Sequence, residues 1–208
     1  MLVADEFYFV AHDEGNGKPR LHTRIAGLGL AAALLGELIL DGHVDLSEGN
    51  LAVVDHRPPV DALAHTVLDQ LISEPQHHDL SIWLAFLGKA SPEQVSQRMA
   101  RAGLLVRNES RGLLRTSVRY LPADRSAAAW PEARLRRFLT RGEQVNVQDG
   151  LLAGLVHATD LTRKVLWDGQ ARSFQYLTWV VSTLPPPLRE LVARTHSAVG
   201  NVVVAHRT

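Results

Sequence analysis

Apolar residues recur at helical spacing through most of the chain and alternate with polar ones in only two short stretches. Beyond Arg24, residues 24–40 are apolar nearly all round with Glu37 as a lone acid, a pattern that predicts a helix enclosed by the rest of the protein. Before it, residues 5–12, EFYFVAHD, fit either a short strand or a first helical turn, and GNGK at 15–18 is a turn. After it, Asp41 and Gly42 supply a helix stop, and residues 43–55 read as two short strands around Ser47-Glu48-Gly49-Asn50.

Further along, residues 60–72 carry apolar side chains at 60, 63, 64, 67, 68, 71 and 72, and 78–87 form another short helical segment. Ser91-Pro92-Glu93-Gln94 predicts a helix start, with serine as N-cap, proline in the first turn and glutamine completing a capping box. That helix runs to about Ala102, Gly103 stops it, and 104–121 read as a second hairpin turning near 108–112. Helices follow at 131–140, at 146–167 with a break, at 173–183 and, after a triple proline, at 187–205. The predicted fold is mainly α: a single globular helical domain over residues 1–208, with a buried central helix and two short β-hairpins.

Composition narrows the function classes. The chain has no cysteine, which excludes thiolate metal sites and cysteine nucleophiles and fits a cytoplasmic protein. Asp5 and Glu6 stand where a signal peptide needs a basic start, and the longest uncharged apolar run, 25–36, is well short of the ~20 residues that cross a bilayer. Any membrane contact is therefore expected to be peripheral.

Formal net charge is zero, but its distribution is uneven. Residues 98–141 hold eleven arginines against three acids, Glu109, Asp124 and Glu132. Strand geometry would bring Arg111, Arg115 and Arg119, spaced by four, out on one face as a cationic ribbon. Arginine's planar fork suits phosphate oxygens, so an anionic phospholipid surface is the expected partner. A solvated face neutralised by acids elsewhere is the plainer reading of the same run. Helix, glycine and basic hairpin over 91–121 also spell a winged helix-turn-helix, so DNA binding is the alternative, made less favourable by the neutral net charge.

Other candidate chemistry is sparse. Gly27, Gly29 and Ala32 match a dinucleotide-loop spacing, but no apolar strand precedes them, and close helix packing is the simpler account. The ten histidines form no H-E-x-x-H, so neither a metal nor another cofactor is expected. His157 and Asp160, three apart, are more simply a helix-terminal hydrogen-bonding pair than an acid and base. No hydrolase elbow or phosphate-binding lysine loop is present, and no enzyme activity is expected. Glu37, if buried, needs a partner, for which an arginine is the obvious candidate.

Three segments taken together, Gly36-Glu-Leu-Ile-Leu-Asp-Gly-His-Val44, Arg101-Ala-Gly-Leu-Leu105 before a hairpin, and His157-Ala-Thr-Asp-Leu161, resemble the Golgi phosphoprotein 3 (GPP34) family in its bacterial form. The resemblance implies a helical domain that binds phosphatidylinositol 4-phosphate in a basic surface pocket and acts as a peripheral membrane adaptor. The family's pocket tryptophan falls on His22 and its arginines on Ala31, Lys89 and Pro92, so only Lys89 keeps the charge. Headgroup binding is therefore expected from His22, Arg24, Lys89, Arg98 and Arg101, with Arg107, Arg111, Arg115 and Arg119 contacting the anionic surface. Protein clients and an oligomeric state are left open.

Overall fold

A computed structural model describes residues 1–111, 116–167 and 171–205, with 110, 111, 116 and 117 described by their backbone alone. Among these the chain forms ten helices and two antiparallel hairpins, in the order α1 (Val3–Ala11), α2 (Thr23–Leu40), β1 (Val44–Ser47), β2 (Asn50–Val53), α3 (Ala62–Ser73), α4 (Leu80–Leu87), α5 (Ser91–Arg101), β3 (Leu105–Arg111), β4 (Thr116–Pro122), α6 (Arg125–Arg141), α7 (Val147–Ala158), α8 (Thr162–Val165), α9 (Ala171–Ser182) and α10 (Pro186–Ala205). The mainly α expectation holds.

The central helix is α2, buried without interruption from Ala26 to Leu38. Its glycines are where neighbours approach. A Cβ on Gly27 would stand 2.1 Å from the Gly88 carbonyl oxygen, one on Gly29 2.3 Å from Phe7, and one on Gly36 2.6 Å from Leu151. The Gly27 to Ala32 spacing is thus a packing pattern, as its missing strand implied. The ambiguous segment near the start is helix α1, and all nine of its residues are buried, Asp5 and Glu6 included. Enclosure on every side removes the periodicity that would have told helix from strand.

Local signals explain most boundaries. Glu48 and Gly49 both take left-handed φ, 53° and 83°, the geometry of a two-residue hairpin turn. Asp61 and Asp79 cap α3 and α4 through their side chains. Ser91, by contrast, is not the N-cap of α5: it lies inside the helix, wholly buried, and its hydroxyl donates to the Leu87 carbonyl at 2.7 Å, because α4 leads into α5 almost without a break. α6 begins at Arg125 rather than Pro131, since Asp124 caps it and the proline is accommodated inside. Val60, read as the first apolar position of α3, lies outside that helix and is fully exposed.

Contacts set the directions of the helices. Ala4 donates its backbone N–H to Glu37 near the end of α2, so α1 runs antiparallel to it. Gly27 against Gly88 places the α4–α5 junction beside the start of α2, and Gly29 against Thr159 brings the end of α7 to the same region. The Tyr120 hydroxyl donates to Glu93 in the first turn of α5, and Gly17 abuts the Tyr120 carbonyl, so the β3–β4 hairpin folds back toward this end too.

Candidate functional site

Charge counted along the chain is not charge on the surface. Arg98 is buried, donating to Asp5 at 2.7 and 3.0 Å, to Asp61 at 3.0 Å and to Glu37 at 3.2 Å. Burial alone would push its guanidinium down, but the carboxylates of Glu37 and Asp5 reverse this and hold it charged. The partner expected for Glu37 is therefore Arg98, and Arg98 is withdrawn from any headgroup. Arg134 grips Glu6 and Asp149, while Arg137 and Arg141 converge on Glu143 and Arg107 pairs with Glu109. Among the described residues five of these arginines thus serve ion pairs, several with acids from outside the segment.

Within the described part of the hairpin the arginines do not share one face. In the hairpin register Arg107 lies opposite Tyr120 and Asn108 opposite Arg119, and since paired residues share a face, Arg107 and Arg119 occupy opposite faces. Arg111 closes β3, on the other strand from Arg119, and its side chain is outside the description; Arg115 lies outside the described residues. The strands reverse after Arg111, which puts Arg111 and Arg119 on different strands.

The remaining candidates separate into two places. His22 caps α2, accepting from the Arg24 backbone N–H at 3.3 Å, and both residues are exposed. Lys89 is exposed beside them, positioned by the Gly27–Gly88 approach. Arg101 is exposed at the opposite end of α5, about 16 Å away at 1.5 Å of rise per residue. Ala31 is wholly buried, so the position matching the family's first pocket arginine has no access to ligand.

Two cations absent from the expected set join the α2 end: Arg163 and Lys164, both exposed on α8. Thr159, three residues before α8, packs on Gly29 of α2, which brings α8 toward the same end, and the Asp13 carboxylate there is held low by the backbone N–H groups of Asn16 and Gly15, with Arg20 and Lys164 adding to the effect. Among the described residues Arg24, Lys89, Arg163 and Lys164 make no ion pair. Of the acids nearby, Glu14 and Glu132 are engaged by Arg20, Glu93 by Tyr120 and Gln97, and Asp13 by backbone N–H groups, while Asp160 lines a groove with Arg163. The sequence signal for α8 was the Thr162-Arg-Lys run just after His157-Ala-Thr-Asp-Leu161, which charge counting over 98–141 passed by.

No group of three or more side chains able to hold a metal occurs among the described residues. Arrayed exposed cations over a helix N-terminus can hold phosphate oxygens and supply no nucleophile. A comparison with curated proteins returns no match. The family model described as Golgi phosphoprotein 3 (GPP34) matches residues 3–195, which takes in the central helix, both hairpins and α8, and the chain belongs to that family.

Proposed function

We propose that this protein is a peripheral, non-catalytic adaptor that docks on anionic phospholipid membranes from the cytoplasmic side. The observation carrying this reading is the cluster of Arg24, Lys89, Arg163 and Lys164, exposed and without ion pairs among the described residues, at the end of the molecule where α2 begins. His22 and the exposed Arg119 add to the same approach. Phosphatidylinositol 4-phosphate is the headgroup that family resemblance favours. With Lys89 the sole retained pocket charge, the recognition we propose reads negative charge density more than inositol stereochemistry. The DNA-binding alternative finds no support: of the two arginines of α5, Arg98 is buried in ion pairs, and the exposed side of the helix carries Glu93 and Gln97 beside Arg101.

Cosedimentation tests this with vesicles of phosphatidylcholine alone, with added phosphatidylglycerol, or with added phosphatidylinositol 4-phosphate. Binding to both acidic compositions and not to the neutral one is expected. Replacing Arg24, Lys89, Arg163 and Lys164 together with glutamine should weaken it by about 3–4 kcal/mol, at ~1 kcal/mol per basic contact, with no loss of melting temperature. Wild-type protein left in the supernatant with acidic vesicles at low salt would refute the reading.

A further inference from the structure

A groove of about 520 Å³ opens between α7, α8, α9 and α10. Its two halves differ in chemistry. One wall is apolar, formed by Phe174, Val199, Val203 and Val204, and the other carries His157, Asp160, Thr162, Arg163 and His196. Phe174 and Val203 are more than a third exposed and Val204 is 65% exposed, so this wall meets solvent where packing would cover it. The His157 and His196 rings lie parallel in an offset stack, at 8° with centroids 6.0 Å apart, so that one anion at their edges can reach both. His157 Nδ1 is fixed by Thr162 Oγ1 at 3.3 Å, and Asp160 sits at the helix end in left-handed backbone, φ 62°.

We propose that this groove binds one anionic phospholipid molecule, its phosphodiester against His157, His196 and Arg163 and its acyl chain along Phe174, Val199, Val203 and Val204. The inference rests on the membrane-docking reading and adds a site to it. Arg163 belongs to both, so the groove opens beside the cationic end. Charge complementarity is conditional on pH. With neutral histidines Arg163 and Asp160 cancel; with both protonated the polar end gains two positive charges. Of the groups facing His157, His196 on α10 and Arg163 on α8 oppose its protonation and Asp160 favours it. Burial, then His196, also hold His157 below the ordinary histidine value. An anion against both rings relieves that repulsion, so binding and proton uptake reinforce each other.

The probe is dihexanoyl phosphatidylglycerol below its micellar concentration, whose phosphodiester stays singly charged while histidine titrates. Calorimetry and histidine ring NMR should show saturable binding that shifts both rings, about tenfold tighter than for glycerophosphoglycerol or dihexanoyl phosphatidylcholine. Affinity should rise about tenfold from roughly pH 8 to roughly pH 5.5. His196→Gln should flatten that rise, and Arg163→Gln and Val204→Glu should each weaken binding with melting unchanged. Absence of saturable binding, equal affinity for the chain-free head, or an unaltered pH profile in His196→Gln would overturn the proposal. If wild type sediments with acidic vesicles but ignores the soluble lipid, the groove fails and the docking reading stands. Saturable binding of the soluble lipid without vesicle binding leaves the groove and removes the docking face.

Discussion

One guanidinium enclosed by three carboxylates leaves two surplus negative charges if all ionise, and around Arg98 that excess is buried. Burial, opposed by Arg98, lifts Glu37 from 4.5 to about 7, and burial raises Asp5 in the same sense. The folded protein therefore holds a proton that the unfolded chain releases as pH passes 4.5. This contribution is fully present below about 4.5 and is lost as pH rises through about 7, a difference of at most about 3 kcal/mol. Denaturant melts compared between roughly pH 5 and roughly pH 8 should show the loss, and Glu37→Gln should flatten it while keeping an acceptor for the Ala4 N–H. Arg98→Ala strands all three acids and should cost about 3–5 kcal/mol in the same melts. The need for a partner was legible in Glu37, but its identity, 61 residues away, was not. A clue did exist: Arg98 falls on the face of α5 that carries Val95 and Met99, the face that packs inward.

Elements were easier to read where one face meets water. α3, α5 and α10 lie close to their expected spans because polar and apolar positions alternate there at helical spacing. α1 was undecidable because no face is polar, and the start of α5 was misplaced because a serine before a proline reads as a cap whether or not a preceding helix occupies that role. The hairpin shows how one boundary propagates: with the reversal after Arg111, Arg111 and Arg119 fall on two strands and two faces of the hairpin. At the α2–α4 crossing the controlling contact is backbone on backbone. A methyl on Gly27 meets the Gly88 carbonyl at 2.1 Å, and no rotamer relieves it, whereas one on Gly36 meets side-chain ends, Leu151 at 2.6 Å and Leu191 at 3.4 Å. Gly27→Ala should lower stability by at least about 1–3 kcal/mol and weaken acidic-vesicle binding by displacing Lys89, while Gly36→Ala should cost less; thermal melts of both variants compare them directly.

Over the whole molecule, zero net charge coexists with a cationic end, so long-range attraction to an anionic surface orients the protein more than it concentrates it. A different mode of attachment is open by length alone: α2, with 18 residues at mean hydropathy 1.6, is apolar enough to cross a bilayer. It is, however, 72% buried within the fold, and inserting it would strip α1, α5, α7 and α10 of their common core and carry Glu37 into hydrocarbon without Arg98. Attachment through the surface cations and attachment through α2 respond oppositely to salt. Screening shrinks from ~10 Å at 0.1 M to ~3 Å at 1 M, which removes the reach of exposed arginines and lysines but strengthens apolar contacts. Protein bound to phosphatidylglycerol vesicles should therefore return to the supernatant on washing at about 1 M salt, losing at least about tenfold in affinity. Retention through that wash would point to apolar attachment, through α2 or through the groove wall of Phe174 and Val204, and the intact hydrogen-bond network around Arg98 argues against α2.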